Sequence, residues 1–170
     1  GRLESLVYSV PPREFTRMHA VCRQAPGALV MDTSTAALLG ALTDLRVKEA
    51  VAAGPLVLLN LGNQHTFAAC LEQGRITGLF EHHTGMLTAE KTAGLLAELL
   101  AGKLTDDAVY AGGGHGCIPP PAPVRPVLTV ITGPQREKLR HLPDSYFAAP
   151  QGNMMLMGCY GLIEAALRYR

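Results

Sequence analysis

The sequence predicts an α/β domain: a mixed sheet containing a three-strand antiparallel meander, with flanking helices. Three observations carry this. Residues 55–62, "PLVLLNLG", form a continuous apolar run closed by glycine, the pattern of a strand buried on both faces. Two further strand-like runs, "HTFAACLEQG" and "QGRITGLFEHH", follow across tight turns at Gly62-Asn63 and Gln73-Gly74, which makes a meander. Beyond them helical periodicity alternates with short apolar runs, so helices must pack on the sheet.

The elements follow in order. Residues 1–54 read as a helical N-terminal segment with one short strand. "PPREFTRMHAVCRQ" opens on prolines and carries Phe15, Met18 and Cys22 at helical spacing. "GALVM" (27–31) is the strand, and Asp32, Ser34 or Thr35 can cap a helix over "AALLGALTDL". A helix over "DLRVKEAVAA" stops at Gly54-Pro55. Residues 55–170 form the main subdomain. After the meander, Thr88 caps a helix "AEKTAGLLAELLAG" with a stripe of Leu95, Leu96, Leu99 and Leu100. "VYAGGGHGC" reads as a glycine loop, and the proline-rich stretch 118–126 as an extended surface excursion. "VLTVIT" (127–132) is a second buried strand, followed by a short helix "QREKLRHL", a short strand "SYFAA" and a final helix from about Asn153 to Arg168. Leu58, Leu61, Val130 and the Leu95–Leu99 stripe are expected to share one core.

Composition bounds the function. Hydrophobic residues make up 48% and charged residues 17%, the balance of a compact globular chain. A net charge of +1 gives no basic face for nucleic acid and no polybasic membrane patch. The longest apolar stretch, "MMLMGCYGLIEAAL", is too short and interrupted to span a bilayer. The expected compartment is the cytoplasm. Cys22, Cys70, Cys117 and Cys159 lie more than forty residues apart, so no CxxC or Cys/His spacing exists and the thiols are expected to be reduced.

Three stretches can carry chemistry. In "NLGNQHT", Asn60, Gly62, Asn63, His65 and Thr66 surround a turn whose exposed N–H groups can cradle phosphate, although an ordinary Gly-Asn hairpin has the same sequence. "GGGHG" puts Gly113, Gly114 and His115 on a flexible run without the Lys-Ser/Thr of a phosphate loop. Gly133, directly after a buried strand, offers close ligand approach or merely a helix entry at Pro134. Last, "FEHHTG" sets Glu81, His82 and His83 in a row. On a strand, His82 and His83 point to opposite faces, whereas Glu81 and His83 share one. Two ligands leave a metal site short, and spacing identifies no third, so no bound metal is expected. Glu81, His82 and His83 are read instead as acid–base or substrate-facing groups of a cleft.

"LNLGNQHTFAACLEQGRITGLFEHHTG", "VITGPQREKL" and "APQGNMMLMGCYGLIEAAL" together resemble the C-terminal half of an actin-like ATPase, a ribonuclease-H-like domain. That resemblance implies a second phosphate loop at Asn60–Thr66, where the superfamily has Asp-x-Gly-x-x-Thr, and an adenosine motif ending at Gly133. More narrowly, "FEHHTG", "GGGHG", "TGPQR" and "GNMMLMGCYGL" are similar to a prokaryotic family of unknown function often labelled pyruvate formate-lyase activating enzyme. The label implies radical S-adenosylmethionine chemistry, which needs CxxxCxxC. The chain has none, and that activity is rejected. Asn60 also replaces the carboxylate that would organise Mg²⁺ and its water.

The leading expectation is therefore one half of a two-domain clamp that binds a nucleotide or another small phosphorylated ligand. Its partner would be an N-terminal subdomain of the same protein, with ATP and magnesium as cofactors of the whole protein and none bound tightly by this half. Two other classes compete: a non-catalytic ribonuclease-H-like assembly module, and a metal-dependent hydrolase built on Glu81, His83 and His115.

Overall fold

A computed structural model of the chain describes residues 1–169. A ribbon of two short antiparallel strands, β1 (Val7–Tyr8) and β2 (Val30–Met31), encloses α1 (Thr16–Gln24). Two helices follow, α2 (Thr33–Ala41) and α3 (Leu45–Ala53). Asp32 and Asp44 cap them by accepting the N–H groups of Ser34 and Arg46. The Asp44 carboxylate is buried and also accepts the Tyr146 hydroxyl at 3.0 Å and the Ala149 N–H at 3.2 Å. One cap thus ties α3 to a segment a hundred residues away.

The meander is present: β3 (Leu56–Leu61), β4 (His65–Glu72) and β5 (Arg75–His83), antiparallel in sequence order. Then come α4 (Ala89–Leu100), α5 (Asp106–Ala111), β6 (Gly114–Ile118), β7 (Leu128–Thr132), β8 (Ser145–Phe147) and α6 (Met157–Arg168). The six strands lie in the order β6-β5-β4-β3-β7-β8, with β7 parallel to β3 and β8 parallel to β7. The sheet is mixed and helices flank it. Among the described residues no helix is long and apolar enough to cross a membrane.

Three features depart from the sequence reading. The N-terminal segment holds two short strands rather than one. The stretch taken as a glycine loop contains α5 and an edge strand, because Thr105 caps α5 through the Ala108 N–H and β5 offers a free edge for residues 114–118 to pair. The hydrophobic core is double rather than single. Leu58 and Val130 face α2 and α6, whereas Leu61, Leu96 and Leu99 face the opposite side with Phe80 and Val109. Alternation along a strand buried on both faces sends neighbouring leucines to different cores.

Leu99 is fully buried in the second core. Leu99→Ala should cost about 2–5 kcal/mol, the range for truncating a buried leucine, measured by urea unfolding. A cost near zero would mean that α4 does not dock on the sheet.

All four cysteines are free. Burial pushes the Cys70 thiol up to about 11, and burial followed by the Asp106 carboxylate raises Cys117. Cys159 is exposed on α6. A thiol-reactive disulfide at neutral pH should therefore modify Cys159 quickly and Cys70 only after unfolding, as peptide mass spectrometry would show. Early modification of Cys70 would contradict this packing.

Candidate metal centre

Strand register brings together what spacing could not. His65, the first residue of β4, lies directly opposite His83, the last residue of β5. Directly opposed side chains share a sheet face with Cβ atoms about 4.5–5.5 Å apart. The rings of this pair have centroids 5.0 Å apart.

The third imidazole comes from an irregularity. Gly116 pairs with Glu81 and Gly114 with His82, so His115 is one residue too many on β6. Such a bulge re-aims the side chain of the extra residue. It carries His115 over the same face, with its ring centroid 4.4 Å from that of His83 and 4.9 Å from that of His65. One nitrogen from each of the three rings lies within 4.8 Å of the others. Among the described residues this is the group of three or more His, Cys, Asp or Glu side chains placed to share an ion.

His82 explains why the glycine run is glycine. Its side chain points to the opposite face, is 2% exposed, and places Nδ1 3.1 Å from the His83 carbonyl oxygen, to which it can donate. A Cβ on Gly112 would come within 3.0 Å of His82 Nε2, and one on Gly114 within 2.7 Å of His82 Cδ2. The Gly113 Cβ position is taken by the Met86 sulfur, at a φ of +85°. The strand carrying His115 can lie against β5 only because nothing projects from these three residues toward His82 and Met86.

Glu81 shares the face of His83, and its Oε1 lies 3.8 Å from His65 Nδ1. Desolvation, then the neighbouring His115, His65 and His82 rings, hold the His83 pKa below the usual imidazole value, and Glu81 opposes the shift. The neutral, lone-pair-bearing form of His83 is favoured. That is the form a metal requires.

The residues expected to cradle phosphate are placed less openly. The Gly62 N–H donates to the His65 carbonyl at 2.9 Å, and a Cβ on Gly62 would sit 2.7 Å from that same oxygen. Thr66 is fully buried, its hydroxyl 3.0 Å from that of Thr84. The Asn63 side chain accepts from Gln135. Asn60 is buried on the last turn-ward position but one of β3. Gly133 has a φ of +98°, and its missing Cβ makes room for the Leu61 carbonyl and the Asn60 amide oxygen 2.7 Å away. Its glycine is required by strand contact before any ligand is considered. A cleft of about 580 Å³ lies beside α1 among Phe15, Met18, Val21, Leu29 and Leu162 and includes none of these residues.

The sequence reading missed His65 as a partner of His83. The tight turn alone, continued from Glu72↔Arg75 and Leu71↔Ile76, would set His65 against His82; a register shift at Cys70/Leu71 moves it opposite His83. No local signal marked the bulge.

Residues 1–138 match the family described as "Putative pyruvate format-lyase activating enzyme (DUF1786)", which covers all three histidines. The chain belongs to this family. A comparison with curated proteins finds no match. A radical S-adenosylmethionine cluster needs three clustered thiolates, and the cysteines of this member, two of them buried, are spread over four separate elements with no such grouping among the described residues.

Proposed function

We propose that this protein binds a divalent transition-metal ion, of the zinc class, through His65, His83 and His115. The single observation that carries this reading is the convergence of three imidazoles from three adjacent strands on one sheet face. Imidazole sets suit zinc and its first-row neighbours. A tetrahedral ion with bonds of about 2.0–2.1 Å needs its nitrogens roughly 3.3 Å apart, so small rotations of these rings would close the site.

Three protein ligands leave a fourth position for water or substrate, the arrangement of catalytic rather than structural zinc. The chemistry such an ion supplies is polarisation of a carbonyl or phosphoryl oxygen, or a hydroxide generated near neutral pH. His115 is exposed and His65 and Glu81 are about one-third exposed, so a substrate could reach that position. The reaction class supported is metal-assisted hydrolysis or hydration, with Glu81 beside the ion rather than in a separate cleft.

Elemental analysis of protein purified without chelator, followed by Co²⁺ titration, tests the reading. One equivalent of metal, and visible absorption characteristic of tetrahedral Co²⁺ that is displaced by Zn²⁺, is the expected result. Substoichiometric metal together with no Co²⁺ spectrum up to millimolar concentration would sink it.

A second reading, the half-clamp of an actin-like, ribonuclease-H-like nucleotide-binding protein, is favoured by one observation. The antiparallel meander is followed by β7 and β8, both running parallel to its first strand, with Gly133 against the end of β3. The triad lies at that same end of the sheet, so a phosphate and the ion could share one crevice. With the Gly62 amide engaged, phosphate would meet the turn at Asn63 and Gln64. Calorimetry with Mg-ATP should give an affinity no better than roughly millimolar for this chain alone. Micromolar binding would place a complete nucleotide site here.

A further inference from the structure

Glu81 is the one carboxylate of the candidate site, and its position is unusual for a ligand. Its oxygen stands 3.8 Å from His65 Nδ1, yet it falls outside the group of nitrogens that converge. On one side it lies opposite Phe67, on the other opposite Gly116, which has no side chain to offer. The diagonal neighbour toward the strand end is His65, at a separation that a long side chain can span. Two residues further along the same face of β5 stands His83, one of the three converging imidazoles. The Glu81 oxygen thus comes nearest to His65 Nδ1, while the converging set is made of imidazole nitrogens alone.

We infer that Glu81 is a positioning residue that holds the Nδ1–H tautomer of His65 and presents the Nε2 lone pair to the metal. The inference rests on the metal reading above for its consequence, but the Glu81–His65 dyad, which needs the carboxylate to close from 3.8 Å to hydrogen-bond length, can be tested in the metal-free protein. Free imidazole favours the proton on Nε2, which would occupy the atom this inference assigns to the ion. A carboxylate accepting the Nδ1–H reverses that preference, fixes the ring plane and raises ligand basicity. This gives Glu81 and His83, which share a sheet face, different tasks: His83 ligates, and Glu81 serves a histidine on the neighbouring strand.

Two measurements on wild type, Glu81→Gln and Glu81→Ala test it. Long-range ¹H–¹⁵N NMR of the metal-free protein at neutral pH reports the tautomer of His65. The expected result is Nδ1–H in wild type, retained in large part by Glu81→Gln, whose amide oxygen can still accept, and replaced by Nε2–H in Glu81→Ala. Competitive Zn²⁺ titration should show Glu81→Ala weakened by roughly 10–100-fold, the loss typical of an orienting partner, with Glu81→Gln between it and wild type. An unchanged His65 tautomer in Glu81→Ala overturns the inference, whatever the affinity does. If affinity falls without a tautomer change, Glu81 is itself a ligand. If wild type shows the Nδ1–H tautomer but takes up no metal, the metal reading fails while the dyad stands.

Discussion

Gly161→Ala should destabilise the protein by about 3 kcal/mol or more, the upper end of the cost of overpacking a core. The reason lies in the contact between α2 and α6. Met157, Gly161 and Ala165 are the buried residues of α6 and recur every four positions, one stripe along the helix. The stripe meets Ala36 and Gly40 on α2, a helix buried along almost its whole length. A Cβ on Gly161 would land on the Ala36 carbonyl oxygen, and one on Gly40 on the Met157 carbonyl oxygen. Neither obstacle is a side chain that can turn away. Both are backbone, so a single methyl group must push two helices apart and open the first core along Leu38, Val130 and Ala148. Alanine is ordinarily the better helix former by about 1 kcal/mol. That gain is small beside the clash. Gly158 on the same helix has open space around it, and Gly158→Ala should be neutral or slightly stabilising. Thermal unfolding of the pair decides the matter: equal stability of the two variants would mean that α2 and α6 do not meet as described.

His83→Ala should abolish metal binding, a loss exceeding the roughly 10–100-fold that removal of an orienting group causes. His83 is the middle residue of the proposed triad, on the strand between those of His65 and His115. Its ring contacts those of both His65 and His115, so its removal leaves two imidazoles on strands that are not adjacent. The fold should survive, because the His83 side chain belongs to neither hydrophobic core. His82→Ala is the informative contrast. That ring is buried against the glycine run and donates to the His83 carbonyl, so its loss opens a cavity beneath β6 and should lower the melting temperature. Adjacent histidines are therefore predicted to separate: one variant stable and metal-free, the other unstable. A Co²⁺ titration and a melting curve on each variant are sufficient. Retention of a tetrahedral Co²⁺ spectrum by His83→Ala would remove the triad as the binding site.

The sheet was legible where sequence carries local signals. The meander, the Thr88 cap of α4, the turns at Gly62-Asn63 and Gln73-Gly74, and the last helix all follow from runs, caps and punctuation that act within a few residues. The opposite orientation of His82 and His83 is likewise a consequence of strand alternation alone. The pairing of β6 was not legible, because an edge strand of Gly-His-Gly-Cys-Ile has no alternation of its own and forms only where β5 offers a free edge. The division of the core into two was hidden for a related reason: a run apolar at every position does not say which leucine faces which layer.

The sequence by itself determined that Glu81 and His83 share a face, that a tight hairpin starts the strand of His65, and that no cysteine framework exists. Only the tertiary structure decided that these pieces form one site. Register between β4 and β5 set His65 against His83, and a bulge on β6 turned His115 onto the same face. A metal ion senses distances of a few ångströms between side chains that lie eighteen and thirty-two residues apart along the chain. Chain spacing holds no information at that range until strands pair, because pairing, and not sequence neighbourhood, sets which side chains meet.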